Sequence, residues 1–407
     1  MKINMSYKIV PLSEVVYFQE GPGLRNWQYA KEGIPFLNIR TLTDEGFINK
    51  SLCQCVKKEE FTNKYEHFLL DEGDFVVSSS GTLGKLAEVR KQDLPIMLNT
   101  SVIRFRPLDT NILDRDFLKW FIKSPLYFRQ IESASTGTAI KNYGPSHLKK
   151  MVIPLPPIAS QRRIANILDK ADEIIRKRKE AIALTEQLLK STFLDMFGDP
   201  VINPKGWDVV TLEQVAEKEK GAIKCGPFGS QLLISEFQDI GIPVYGIDNV
   251  QKNEFIWAKP KFITREKYQQ LRAFSIKLND VLISRTGTVG RTCIAPPNIP
   301  ESIIGANLLK VSLDQNEMSS KYLSYALSYS EFLIQEIKNM SPGATVPVFN
   351  TSNLKSLKLA NPPMDLQIKF NLMINKIQEK IGKQKKSLQE SENLFNSLLQ
   401  RAFKGEL

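Results

Sequence analysis

The segment Gly-Thr-x-Gly occurs twice in this chain. Gly81-Thr82-Leu83-Gly84 follows Ser80, and Gly287-Thr288-Val289-Gly290 recurs at an offset of 206 residues. The same offset joins Asp74 to Asp280, Pro156-Pro157 to Pro362-Pro363, and Gln161 to Gln367. Solenoid units repeat every 20–50 residues or so, which is far shorter. The chain is therefore a duplicated domain together with whatever follows each copy. Two similar copies that differ in detail suit two similar tasks on different parts of one ligand.

Each copy opens alike, with Val10-Pro11-Leu12-Ser13-Glu14-Val15 and Val210-Thr211-Leu212-Glu213-Gln214-Val215. Short runs rich in β-branched and aromatic residues follow, such as Asp74 to Ser78 and Asp280 to Ser284, and read as strands. One helical stretch is expected in each copy, over residues 116–132 and 320–339. Each globule ends at prolines, Pro154-Leu155-Pro156-Pro157 and Asn361-Pro362-Pro363, which suit a helix entry. The clearest periodicity of the chain comes next. One ladder is Ile164, Leu168, Ala171, Ile175, Arg178, Ile182, Thr185, Leu189, Thr192 and Met196. The other is Phe370, Ile374, Ile377, Ile381, Gln384, Leu388, Ser391, Phe395, Leu398 and Ala402. Both step by four and three without a slip, which is a heptad seam. The expected fold is α+β: two similar β-rich globules separated by two long helices that pair as an antiparallel coiled coil, in a pseudo-twofold arrangement. The expected divisions are 1–158 and 206–363 for the globules, 159–198 and 364–407 for the helices, and a flexible linker at 199–205.

Composition narrows the function. At 407 residues the chain can bury several cores. No stretch approaches the roughly 18 apolar residues of a membrane span, and the first residues lack the core of a signal peptide, so a cytoplasmic protein is expected. The net charge of +11 suits a polyanion, most often nucleic acid, although a basic surface can also serve solubility alone. Cys53, Cys55, Cys225 and Cys293, with His67 and His147, have no zinc-ligand spacing, and no metal is expected.

No set of residues points to catalysis. Asn361-Pro362-Pro363-Met364 lacks the aromatic fourth residue that stacks on a flipped base in amino-methyltransferases, and the first copy has Leu155 in place of the Asn. Gly81 to Lys85 is only a fragment of a P-loop, because Ser79 and Leu86 stand at two of its required positions. Small hydroxyl residues, backbone N–H groups and one cation make these loops better suited to DNA phosphates. A plain hairpin turn is the alternative.

Two globules of this kind, each ending in prolines and a helix that opens with Gln, resemble the specificity subunit of type I restriction-modification enzymes. The most telling segments are Pro154 to Ile164, with Gln161-Arg162-Arg163-Ile164, and Leu194 to Pro200. The second copy departs from the pattern with Ile368-Lys369 in place of the Arg pair. The resemblance implies a non-catalytic subunit. Each globule would be a target recognition domain for one half of a bipartite, asymmetric DNA sequence. The helices would set the spacing and dock two modification subunits. Those would methylate adenine with S-adenosylmethionine, and restriction subunits would cleave with ATP and Mg2+. No cofactor would belong to this chain itself.

On that reading the DNA-facing residues of the first copy are Arg25, Asn38, Arg40, Ser79, Ser80, Gly81, Thr82, Lys85, Thr138, Lys141, Asn142 and Tyr143. In the second copy they are Gln231, Asn249, Ser284, Arg285, Thr286, Gly287, Thr288, Arg291 and Thr345. Arg25 and Gln231 lie in stretches after Gly21-Pro22 and Gly226-Pro227 that differ between the copies, as readers of different bases should. Two other readings are a methyltransferase or nuclease acting alone, and a coiled-coil scaffold with no DNA specificity. The bases recognised do not follow from spacing.

Overall fold

A computed structural model describes residues 7–134, 142–286, 290–339 and 350–407. The chain divides into two compact units: Met1–Lys179 with Lys386–Leu407, and Glu180–Lys385. Each unit holds one β-rich globule and part of both long helices, Ile158–Phe197 and Met364–Ala402. At 1.5 Å per residue each helix is about 60 Å long.

The two globules repeat one plan. In the first, an antiparallel sheet runs in the order Val16–Glu20, Val102–Pro107, Phe75–Ser78, Leu86–Glu88. In the second, the order is Ile223–Cys225, Leu308–Val311, Val281–Ser284, Thr292–Ile294. Each globule adds a three-stranded sheet. It is Tyr29–Ala30, Gln54–Val56, Ile34–Phe36 in the first, and Lys261–Ile263, Ile242–Tyr245, Ile303–Ile304 in the second. A two-stranded ribbon closes each copy, Lys8–Pro11 with Val152–Leu155 and Asp208–Thr211 with Lys358–Asn361. The ribbon joins the start of a copy to the strand that feeds its long helix.

Each expected single helix is two helices. Arg115–Lys123 is followed by Pro125–Ala134, and Ser320–Tyr329 by Glu331–Asn339. Proline at 125 disfavours helical backbone at Ser124. The Ser124 Oγ then accepts the Tyr127 N–H at 3.2 Å, starting the next helix. Ser330 does the same for the Leu333 N–H at 3.0 Å without a proline. Hydrophobic periodicity does not register such a break, because the apolar face continues through it.

Within each unit the helix segments run antiparallel. In the first, Ile164, Ala165 and Leu168 share a core with Leu399, Ala402 and Phe403. Further along, Arg178 donates to Ser387 Oγ and Lys179 pairs with Glu392 at 2.9 Å. The globule joins this core through Phe117, 5.1 Å from the Phe403 ring, and Trp120, 5.4 Å from Phe395. In the second unit Phe193 and Phe197 lie 5.6 and 5.1 Å from Phe370, while Leu189 shares a cavity wall with Ile381. All the ladder positions named above are buried or half-buried. The segment after the first helix is an ordered turn rather than a loose linker. Asn203 accepts the Trp207 N–H at 2.9 Å, and Pro200 accepts the Ala360 N–H at 2.8 Å.

A buried glutamine amide ties each helix start to its globule. Gln161 is fully buried. Its Oε1 accepts the Asp114 N–H at 2.8 Å, and its Nε2 donates to the carbonyls of Ile112 and Pro156 at 2.9 and 2.8 Å. Gln367, also fully buried, accepts the Ser319 N–H at 2.9 Å and donates to the Pro362 carbonyl at 2.8 Å. Asp114 and Ser319 are themselves helix caps. One side chain therefore joins the proline entry of the long helix to the first turn of the helix packed beside it.

A buried ion pair recurs in each main sheet, also in register. Asp74 receives Arg104 at 3.3 Å and Arg106 at 2.7 Å. Asp280 receives Lys310 at 3.3 Å and Ser312 Oγ at 2.5 Å. Burial pushes the Asp280 carboxyl up, against the opposing pull of Lys310.

Two predictions follow from these anchors. Gln161→Ala leaves three backbone groups without their partner, the Pro156 carbonyl among them buried, and should cost about 1–3 kcal/mol in urea unfolding. Gln187→Ala, at an exposed site, should change stability by under about 0.5 kcal/mol. Asp280→Ala alone strands the Lys310 ammonium and should cost about 3–5 kcal/mol, whereas Asp280→Ala with Lys310→Met should recover most of that loss.

Candidate nucleic-acid interface

In the first unit the Gly-Thr-x-Gly segment is a hairpin closed by Ser78. The Ser78 Oγ accepts the Lys85 N–H at 2.9 Å and donates to the Thr82 carbonyl at 2.5 Å. The Gly84 N–H donates to the Ser78 carbonyl at 3.0 Å. Gly84 has φ of 78°, and a Cβ there would stand 2.4 Å from the Phe128 ring, so only glycine fits. In the second unit the Ser284 Oγ accepts the Arg291 N–H at 3.0 Å, and the Gly290 N–H donates to the Ser284 carbonyl at 3.0 Å. The equivalent serines thus hold the loops from beneath.

Other segments meet this hairpin. In the first unit Ser79 N–H donates to the Ser101 carbonyl at 3.0 Å, and Tyr143 N–H to the Ser79 carbonyl at 3.1 Å. Thr100 N–H donates to the Pro22 carbonyl at 3.2 Å, and Gly21 packs so tightly that a Cβ would stand 2.4 Å from the Asn99 nitrogen. In the second unit Arg285 N–H donates to the Asn307 carbonyl at 3.0 Å, and Gly226 N–H to the Leu308 carbonyl at 3.0 Å. A Cβ at Gly226 would stand 2.0 Å from the Gly305 oxygen. Each globule therefore gathers its Gly-Pro segment, the strand end at Ser79 or Arg285, and one further loop into a single shelf. The further loops, residues 99–101 and 305–307, are absent from the sequence-based selection. The offset of 206 between Asn99 and Gly305 was the available signal.

The selected residues separate by burial. Arg25, Arg40, Gly81, Thr82 and Asn142 are exposed in the first unit, as are Gln231 and Arg291 in the second. Ser80, Lys85, Asn38, Arg285 and Thr286 are half-buried. Lys85 is 2.6 Å from Asp44, and Asn38 Oδ1 accepts the Arg40 N–H at 2.9 Å. Arg291 donates to Gln251 Oε1 at 3.1 Å. Four side chains are withdrawn from the surface: Ser79, Tyr143, Asn249 and Ser284. The Tyr143 hydroxyl lies 3.1 Å from that of Tyr127, and burial pushes the Tyr143 phenol up. Asn249 donates to the carbonyls of Ile256 and Ala258, both at 3.0 Å, and accepts the Gly246 N–H at 2.9 Å. Such residues shape the loops from within, where a sequence motif cannot distinguish support from presentation. Thr138, Lys141, Gly287, Thr288 and Thr345 lie outside the described residues.

Arg285 is held firmly. Its Nη1 donates to the Cys225 Sγ at 2.7 Å and to the Ala306 carbonyl at 3.3 Å. Burial pushes the Cys225 thiol up, against the pull of that guanidinium, so the thiol is a neutral acceptor. Among the described residues no group of His, Cys, Asp or Glu is placed to hold a metal ion, and no helix is long and apolar enough to cross a membrane.

Comparison with known proteins agrees with this geometry. The type I restriction modification DNA specificity domain matches the chain twice, over residues 4–184 and 204–393. The specificity subunit of the type I restriction enzyme MjaIX of Methanocaldococcus jannaschii is 22% identical over 403 residues, covering 95% of this chain and 89% of that one. The EcoBI specificity subunit of Escherichia coli is 21% identical over 452 residues, covering 100% of this chain and 87% of its own. The crystal structure of a type I restriction-modification S subunit from M. genitalium superposes with a TM-score of 0.55 at 18% identity, covering 99% of this chain and 97% of that one. A chain from a structural study of complex assembly and conformational transition in the type I R-M system superposes at 0.60 with 19% identity, covering 100% of both chains. Two matched domains, in register with two globules of one plan, make this chain a member of the type I restriction-modification DNA specificity family.

Proposed function

We propose that this chain is the DNA specificity subunit of a type I restriction-modification complex. The observation that carries the reading is the doubled specificity domain, whose two copies share their scaffold and differ in their exposed loops. The chain performs no chemistry of its own in that complex. Residues 1–158 and 206–363 act as two target recognition domains, each reading one half of a bipartite, asymmetric DNA sequence. The helices at 159–198 and 364–407 set the spacing and dock two modification subunits, and the linker 199–205 leads from the first helix into the second globule. Those subunits bring S-adenosylmethionine, and restriction subunits bring ATP and Mg2+.

Within each shelf the exposed cations supply affinity and the loop side chains supply specificity. Arg40 and Arg291 are suited to phosphate, being exposed beside or within the loop shelf of their own units. Arg285, oriented by Cys225 and the Ala306 carbonyl, is suited to a base edge, where fixed geometry matters most.

Adenine-methylation mapping after co-expression with a modification subunit tests the assignment. The expected result is a split asymmetric motif that is absent without this chain. A soluble complex that adds no methylation would refute it. Arg40→Ala and Arg291→Ala should each lower the salt slope of DNA binding by about 0.9. An unchanged slope would remove that residue from the phosphate contacts.

A further inference from the structure

The stretches after Gly21-Pro22 and Gly226-Pro227 have little sequence in common, yet the first 3-10 turn of each is closed by glutamine. In Asn26–Gln28 the Gln28 Oε1 accepts the Arg25 N–H at 2.8 Å, and the Gln28 N–H donates to the Arg25 carbonyl at 2.9 Å. Gln28 is buried, and its Nε2 donates to Glu60 Oε1 at 2.6 Å and the Tyr65 hydroxyl at 2.8 Å. In Gly229–Gln231 the Gln231 Oε1 accepts the Phe228 N–H at 3.3 Å, and its own N–H returns to the Phe228 carbonyl at 3.3 Å.

Each turn holds an aromatic ring out into solvent. Trp27 is 75% exposed and Phe228 is 61% exposed. Among the described residues neither ring packs on another ring, and the Trp27 indole makes no hydrogen bond. Exposing a large aromatic side chain is unfavourable for the isolated chain. Doing so on both of these turns, with Trp27 inside one and Phe228 capping the other, points to a ligand.

Each turn also carries or adjoins a cation that no acid holds. Arg25 is exposed and forms no ion pair among the described residues. Lys224 lines a cavity of about 390 Å³ with Phe228 and Gln231; its ammonium lies 5.0 Å from the Phe274 ring and forms no ion pair among the described residues. Both turns continue from the Gly-Pro segments that form the shelf. An exposed aromatic with a cation that has no carboxylate partner suits a base step at a kink, with the ring against a base and the cation on an adjacent phosphate. Aromatic anchors also occur at protein interfaces, but the unpaired cations and the shelf favour a duplex.

We propose that Trp27 and Phe228 are wedge residues that enter the DNA, one in each half-site, and unstack a base step there. The proposal rests on the specificity-subunit reading above. Unstacking loosens the duplex where a partner enzyme must extract its target base.

The test uses the full chain assembled with its modification subunit and a duplex carrying the mapped sequence, with 2-aminopurine placed at successive positions. Fluorescence should rise on binding at one step in each half-site. Trp27→Ala should abolish the rise in one half-site only and weaken binding about ten-fold. Its salt slope and melting temperature should be unchanged, because no charge or buried surface is lost. Trp27→Phe should keep the rise, and Phe228→Ala should remove it in the other half-site. Arg25→Ala should instead lower the salt slope. Wild-type binding with no rise anywhere would overturn the wedge and leave recognition standing. So would a Trp27→Ala complex that keeps both the rise and its affinity, or one whose only defect is in subunit assembly. A wild-type complex that binds the mapped duplex no better than a scrambled one would overturn the specificity reading itself.

Discussion

A long helix that leaves a globule at the wrong angle cannot hold that globule to any register. In this protein the angle is set by one buried amide per unit, Gln161 and Gln367. Each satisfies a proline-entry carbonyl and the N–H of a neighbouring helix cap. Buried amides are strongly directional, because an unmade hydrogen bond there costs more than a made one contributes. The aromatic packing around Phe403 in one unit and Phe370 in the other then fills the joint. Hydrophobic burial stabilises the joint, and the amide selects its geometry.

A second device places the loops. Ser78 and Ser284 each accept the N–H of the basic residue seven places on, Lys85 and Arg291, and the buried pairs at Asp74 and Asp280 fix the neighbouring strands. The two copies therefore share the positions of these supporting residues and several of their hydrogen bonds, while the exposed residues differ. That division is what a reader of two unlike half-sites needs. Rigid support lets side chains specify bases, and varied side chains let the two copies specify different ones.

The duplicated globules, the long helices and their heptad seams were legible in the sequence, because repeat offset and periodicity are properties of residue order. The breaks at Ser124 and Ser330 were not, since each depends on a local cap beneath an unbroken apolar face. In the first unit, Gly-Thr-x-Gly marked a loop whose Gly81 and Thr82 are exposed. It did not tell the serine that supports the loop from the threonine that is presented by it. Tyr143 and Asn249 have the chemistry of readers and the burial of supports.

The sequence by itself determined the duplication, the β-rich globules, the helical seams and the basic charge that suits a polyanion. Each follows from local propensity, spacing or composition, which do not require contacts between distant residues. Only the tertiary structure decided which polar residues face outward. It brought residues 99–101 and 305–307 to the loop shelves and turned Trp27 and Phe228 to solvent. Exposure is set by what packs behind a residue, and that is fixed only when segments far apart in the chain come together.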